Sequence, residues 1–254
     1  MSDAEGIPFD LKRDLVHPDI SQLYFQVSEI FDDRTYLQHG IEVGPESVVI
    51  DAGANVGVAA AFFAAECGAG QIHSFEPVPA NHEILLRNVA RFPSVTTYRF
   101  GLSDRAGRET FTYYEGAAAM SSQYADPERD QGLVGTVLSE LGLSDEEIAS
   151  RLESSFDPVE VECELRTLSA VIDEQGIERI DLLKIDVERA ELDVLQGIED
   201  RHWPLVRQVV AEVHDESGRL GGIRALLEAK GFSIVLDQDE RMGSTGVFVI
   251  YARR

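Results

Sequence analysis

Val48-Val49-Ile50-Asp51-Ala52-Gly53-Ala54-Asn55-Val56-Gly57 decides the reading of this chain. A β-branched apolar run stops at Asp51, glycines follow at Gly53 and Gly57, and an Ala-rich apolar segment continues to Cys67. The pattern reads as buried strand, tight turn and helix. Glycines in such a turn allow backbone angles that other residues resist, and they let a ligand approach the main chain. The helix that follows points unpaired N–H groups at whatever sits there. A nucleotide-like ligand at a strand–helix turn is the expectation.

The 254 residues suffice for one elaborated α/β domain. A hydrophobic content of 44% and a charged content of 27% are those of an ordinary globular protein. The longest apolar run, Val56 to Ala65, is too short to span a bilayer. The first residues lack the basic-then-apolar order of a signal peptide. Cys67 and Cys163 form neither a metal spacing nor a disulfide framework, which fits a reducing, cytoplasmic setting. The net charge of −24, from 22 basic and 46 acidic residues, repels nucleic acid and anionic membrane. It is compatible with a small acceptor, free or delivered by a carrier protein.

Outward from the opening stretch, residues 1–45 read as a helical cover segment and 46–254 as the main domain. Ile20, Leu23, Tyr24, Val27, Ile30 and Phe31 share one face of a helix over 19–31. Strands are expected at Gln71–Phe75, Val95–Phe100, Glu109–Tyr113, Val159–Arg166, Asp181–Asp186 and Val206–Val213, with helices at Val58–Cys67, Asn81–Val89, Leu168–Gln175, Glu191–Ile198 and Ile223–Lys230. Phe232–Leu236 and Val247–Tyr251 read as an antiparallel pair. This alternation implies a mostly parallel sheet with helices on both faces and an antiparallel edge. The insertion at about 115–158 breaks the rhythm and is expected to be a lid; its one predicted helix runs from Ser144, with Glu147 completing a capping box.

Ligands of open α/β sheets bind beyond the carboxyl ends of the strands. The residues expected there are Asp51, Gly53, Asn55 and Gly57, then Glu76 and Pro77, Ser103 and Asp104, Asp186 with Glu188 and Glu191, and finally Glu212 and His214. Glu76, at the end of the second strand, has the placement of a carboxylate that accepts both hydroxyls of a ribose. The turn is not G-x-G-x-x-G, and an acid opens it. That is poor for a pyrophosphate and suits a cationic or zwitterionic ligand such as S-adenosylmethionine.

Six stretches together match a family: Asp51–Gly57, Phe75–Asn81, Gly101–Asp104, Met120–Ser122, Leu182–Glu191 and Val210–His214. Through them the chain resembles the FkbM-type methyltransferases over roughly residues 46–235. Glu29–Phe31 and Tyr251–Arg254 look like those members that accompany polyketide and nonribosomal-peptide pathways. Many members carry glycine where Arg189 stands. The resemblance implies a Rossmann-like class I fold with a seven-stranded sheet. It also implies S-adenosylmethionine as methyl donor and O-methyl transfer to a hydroxyl or carboxyl of a small molecule.

Within that expectation His214 is the candidate general base, oriented by Glu212 or Asp186. Met120, Ser121, Ser122, Tyr124 and Glu191 are the candidate acceptor contacts. The acids around His214 also suit a divalent cation, although carboxylate spacing alone does not favour one. Two alternatives on the same fold are a nicotinamide-dependent oxidoreductase, disfavoured by the missing glycine fingerprint, and a silent binding module of a biosynthetic assembly.

Overall fold

Val48–Ala52 forms strand β1, with all five residues buried, in the computed structural model, which describes residues 15–140, 142–152, 155–216, 218–238 and 245–254. It lies third in a seven-stranded sheet. Gln71–Phe75 (β2) and Val95–Tyr98 (β3) extend the sheet on one side; Leu182–Ile185 (β7) and Gln208–His214 (β8) extend it on the other, all parallel. Strand order therefore reverses between β1 and β7, which opens a crevice at their carboxyl ends. Ser233–Asp237 (β9) is the edge strand, and the antiparallel strand Val247–Arg253 (β10) sits one place in, between β8 and β9.

Each sheet face is buried because each helix carries an apolar stripe. Val58–Ala65 (α2) and Pro79–Val89 (α3) cover one face through Phe62, Phe63, Leu85 and Val89. Leu168–Gln175 (α6), Glu191–Gln196 (α7) and Arg219–Ala229 (α8) cover the other through Leu168, Ile172, Val194, Leu195 and Leu227. Helix α2 is apolar on every side and is correspondingly buried.

Three elements depart from the sequence reading. The expected third strand ends at Tyr98, and the chain then leaves the main sheet. Gly101–Leu102 (β4) pairs instead with Pro158–Arg166 (β6), which pairs antiparallel with Gly107–Tyr114 (β5) in a separate three-stranded sheet. Gly101 allows that departure because a Cβ there would press into Leu165. The N-terminal helix α1 spans Ile20–Val27, capped by Asp19, and then widens into a π-helical turn at Ser28–Asp32. The wider turn breaks the 3.6-residue register. Leu23 and Ile30 are buried, whereas Ile20 and Tyr24, expected on the same face, are 60% and 54% exposed.

The insertion holds two helices rather than one. Pro127–Glu140 (α4) has no counterpart in the sequence reading, because Gly132 and Gly135 dilute its pattern. Gly135 packs on Ile148 and Leu152 of the second helix, Asp145–Leu152 (α5). The capping box ahead of α5 is present: Ser144 N and Oγ both donate to Glu147 Oε2, at 2.9 and 2.7 Å. Residues 1–14 of the expected cover segment, and 239–244 between the two strands of the expected antiparallel pair, lie outside the described residues.

Candidate active site

Parallel register sets Asp51 of β1 between Ser74 of β2 and Lys184 of β7. The three side chains meet inside the sheet layer. Ser74 Oγ donates to Asp51 at 3.0 Å, and Lys184 Nζ stands 3.2 Å from Asp51 Oδ1 and 3.5 Å from Asp186 Oδ2. Asp51 is 0% and Lys184 2% exposed. Burial works against the lysine charge, but Asp51 and Asp186 outweigh it and hold the ammonium above its usual range. Lys184 also donates to the Gly53 carbonyl at 2.8 Å, which ties the pair to the glycine turn.

That turn is sterically tight. Gly53 has φ +76°, and a Cβ there would overlap the Asp186 carbonyl. Asn55 has φ +48°, and its side-chain oxygen is buried without a partner. Glu76 Oε2 accepts from Asn55 N and Oε1 from Val78 N, each at 2.9 Å. Burial pushes the Glu76 carboxyl up to about 7 against the pull of those two N–H groups. Gly57, with φ +89°, precedes α2, and no side chain caps that helix.

All of this borders one cavity of about 1300 Å³ over the carboxyl ends of β1, β2, β7 and β8. Gly53, Asn55, Val58, Ala59, Glu76, Pro77, Lys184 and Asp186 form one part of its wall, and Glu188, Glu212 and His214 form another. The N-terminal segment covers it through Tyr36, whose hydroxyl donates to Asp186 Oδ2 at 3.1 Å. The insertion closes it with Met120, Ser121, Leu133, Val137, Leu152 and Phe156.

At the end of β8, His214 Nε2 stands 3.3 Å from Glu188 Oε2, and Nδ1 stands 3.6 Å from Glu191 Oε1. The partners of the imidazole are thus Glu188 and Glu191, and not Glu212 or Asp186 as the sequence suggested. The reason is geometric. Glu188 and Arg189 both adopt left-handed backbone angles (φ +49° and +76°), so the chain doubles back after β7 and presents Glu188 to the β8 terminus. Burial disfavours the imidazolium, but Glu188 and Glu191 outweigh it and raise the value for His214. Burial likewise pushes the Glu188 carboxyl up to about 7. Glu212 is held well above the carboxylate range by burial, with Asp186 and Glu29 adding to it.

The Methyltransferase FkbM domain model matches residues 51–234. The chain belongs to the FkbM methyltransferase family. It is 39% identical over 242 residues to the 31-O-demethyl-FK506 methyltransferase FkbM of Streptomyces tacrolimicus, covering 94% of this chain and 93% of that one. It is 37% identical to Methyltransferase sdnD of Sordaria araneosa, covering 85% and 84%. A stretch of the AMB antimetabolite synthetase AmbE of Pseudomonas aeruginosa is 37% identical to 92% of this chain, which corresponds to 12% of that protein. Among solved structures, a methyltransferase FkbM from Methylobacillus flagellatus matches with a TM-score of 0.52 at 13% identity, a likeness of fold. It covers 95% of this chain and 56% of that one.

Several residues expected at the site of this FkbM methyltransferase stand elsewhere. Asp51 is sealed behind the wall, 3.2 Å from Lys184 Nζ. Gly57 packs on Leu85, and Glu191 is buried behind His214. Ser103, Asp104 and Tyr124 line a separate depression of about 40 Å³, where the Tyr124 hydroxyl donates to Asp193 at 2.8 Å. Ser122 is buried, and its hydroxyl accepts from Tyr124 N. Met120 and Ser121 do reach the cavity. The sequence reading assigned no role to Lys184 or Tyr36. Lys184 had a signal, a lysine inside the otherwise apolar strand Leu182–Ile185. Tyr36 had none, since its contact with Asp186 spans 150 residues. Among the described residues no group of three or more His, Cys, Asp or Glu side chains is arranged to hold a metal ion. No helix there is long and apolar enough to cross a membrane.

Proposed function

We propose that this methyltransferase uses S-adenosylmethionine and methylates a hydroxyl of a small secondary metabolite of polyketide or peptide type. The observation that carries this reading is one cavity bordered by both a donor cradle and the His214–Glu188 pair. Its volume of about 1300 Å³ exceeds that of a usual single-ligand pocket, which leaves room for a donor and an acceptor.

The cradle fits the donor chemically. Glu76 is fixed by two main-chain N–H groups and keeps lone pairs for a ribose diol. The first turn of α2 reaches the wall at Val58 and Ala59 with no side-chain cap, so its N–H groups suit a carboxylate. The unpartnered Asn55 Oδ1 offers an acceptor, and Asp186 supplies negative charge for a cationic group. When bound, the donor supplies a methyl group already activated by its sulfonium.

What this chain then contributes is alignment and proton uptake. The cover segment and the insertion border the cavity and shield part of it from water. The acceptor proton passes to the neutral His214 imidazole, and Glu188 and Glu191 stabilise the imidazolium that forms. His214 is the general base in this scheme, with Glu188 in the orienting place. Asp186 on the cavity wall would repel an ionised carboxylate acceptor, which favours a hydroxyl. The name of the Streptomyces relative, an O-demethyl-FK506 methyltransferase, agrees with that choice.

Calorimetry tests the donor assignment. S-adenosylhomocysteine is expected to bind at micromolar concentration, and NADH is not. The reverse result removes the reading in favour of an oxidoreductase. With an acceptor in hand, His214→Ala is expected to lower kcat by about 100-fold or more while leaving S-adenosylhomocysteine affinity unchanged. Unchanged turnover would remove the general-base role.

A further inference from the structure

Arg189 stands at a backbone position that glycine adopts more readily, with φ +76°, yet it carries the most buried guanidinium in the charged network of this region. Its side chain is 2% exposed. Nη2 stands 2.7 Å from Asp130 Oδ1, and Nε donates to Glu216 Oε1 at 2.8 Å. Asp130 belongs to α4 of the insertion and is 0% exposed. Its second oxygen accepts from the Tyr114 hydroxyl at 3.0 Å and from Asp126 N at 2.9 Å, so it is fixed from the side of the insertion as well. Glu216 follows β8, two residues beyond His214, and its other oxygen accepts from Arg129 of α4 at 2.8 Å. Three segments distant in sequence therefore meet at one guanidinium: α4, the turn after β7 and the loop after β8.

We propose that Arg189 is a positioning residue, a buried latch that fastens the insertion to the turn carrying Glu188, so that the roof of the cavity and the Glu188–His214 pair are set together. The proposal rests on the methyl-transfer reading for its purpose, because the roof covers the place where an acceptor would lie. The latch itself is independent of which ligand binds. Leu133, Val134, Val137 and Leu138 of α4 line the cavity, and Asp130 lies one turn before them on the same helix. Release of Asp130 frees the apolar wall. Arg189 adjoins Glu188 in the chain, so its displacement also moves Glu188 away from His214 Nε2.

The test compares Asp130→Asn, Arg189→Lys and Arg189→Gly with the wild-type chain, by hydrogen exchange, histidine NMR and calorimetry with S-adenosylhomocysteine. Exchange of the α4 amides is expected to rise by on the order of 100-fold in Asp130→Asn and Arg189→Gly, and less in Arg189→Lys, while β1 and β7 amides stay protected. Glu188 and Glu191 face the His214 imidazole, Arg189 lies beside it, Glu212 precedes it on the same strand, and Arg219 donates to its carbonyl. Asp130→Asn alters none of these groups. It is nevertheless expected to move the imidazole titration down toward 6.5, because Glu188 loses its place. A merely structural clamp on α4 would loosen the helix and leave that titration where it was, and this result overturns the proposal. Unchanged α4 exchange in both Asp130→Asn and Arg189→Gly overturns it as well. S-adenosylhomocysteine affinity is expected to stay within about threefold in Asp130→Asn, because the cradle makes no contact with Asp130. Failure of the wild-type chain to bind S-adenosylhomocysteine would instead remove the donor reading and leave the exchange and titration results to decide the latch.

Discussion

At the scale of single residues the site is a problem of buried charge. Lys184 and Asp51 are both removed from water, and neither is tolerable alone at that depth. Breaking a buried pair by removing one partner strands the other, whereas replacing both by apolar groups of similar size can be neutral. Lys184→Met is therefore expected to lower stability by about 3–5 kcal/mol in urea unfolding. The double replacement Lys184→Met with Asp51→Leu is expected to regain most of that loss. If the double variant is no more stable than the single one, the lysine acts through its bond to the Gly53 carbonyl rather than through Asp51. The sequence placed Asp51 at the strand end, and the structure adds its buried partner Lys184. Alternation along β1 shows only that the side chain lies on a sheet face. That Lys184 waits beside it follows from the β1–β7 register, which a single chain read in order does not display.

At the scale of elements, the regular alternation of strand and helix was legible, because its apolar periods are long and its glycines stand at the ends. The departures fall where local pattern and tertiary context disagree. Helix α4 is stabilised by packing on α5 and by the buried Asp130, not by its own propensity, so two internal glycines hid it. The His214 partners were misread for a related reason. Two consecutive left-handed residues at Glu188 and Arg189 reverse the chain, and neither residue type announces that conformation. Glycine at position 53 was legible as a turn, and the structure adds why no other residue serves. Its left-handed φ and the Asp186 carbonyl beside it both exclude a side chain. Gly53→Ala is expected to push β1 and β7 apart at their carboxyl ends, with a loss of about 2 kcal/mol or more in thermal unfolding and the loss of detectable S-adenosylhomocysteine binding. Gly44→Ala, where a Cβ meets no atom, is expected to leave both unchanged and serves as the control.

The whole molecule combines a net charge of −24 with a cavity in which burial raises Glu76, Glu188 and Glu212 above the usual carboxylate range, and the two act differently on stability. Glu76 and Glu188 ordinarily titrate near 4.5 and are raised to about 7 when folded. Such groups bind more protons folded than unfolded, so stability falls as pH rises through the folded value. His214, also raised when folded, contributes stability that is present below 6.5 and is lost as pH rises through its folded value. His17, His73 and His82 are lowered by burial and work in the opposite sense, but their contribution is complete once pH passes 6.5. Between about pH 6.5 and 8 only the falling contributions remain, with the raised Glu212 adding to those of Glu76, Glu188 and His214, and stability is expected to drop by at least ~1–2 kcal/mol. Calorimetric melts across that range check it: Tm should decline with pH, and Glu188→Gln should flatten the decline. A Tm that is level or rises over this range would mean that the cavity acids are already ionised in the folded chain. Salt separates this effect from surface repulsion. Screening relieves repulsion among exposed carboxylates, whose charge scarcely changes over these pH values, but it reaches buried groups weakly. Added salt should therefore lift Tm at every pH and leave its slope with pH in place.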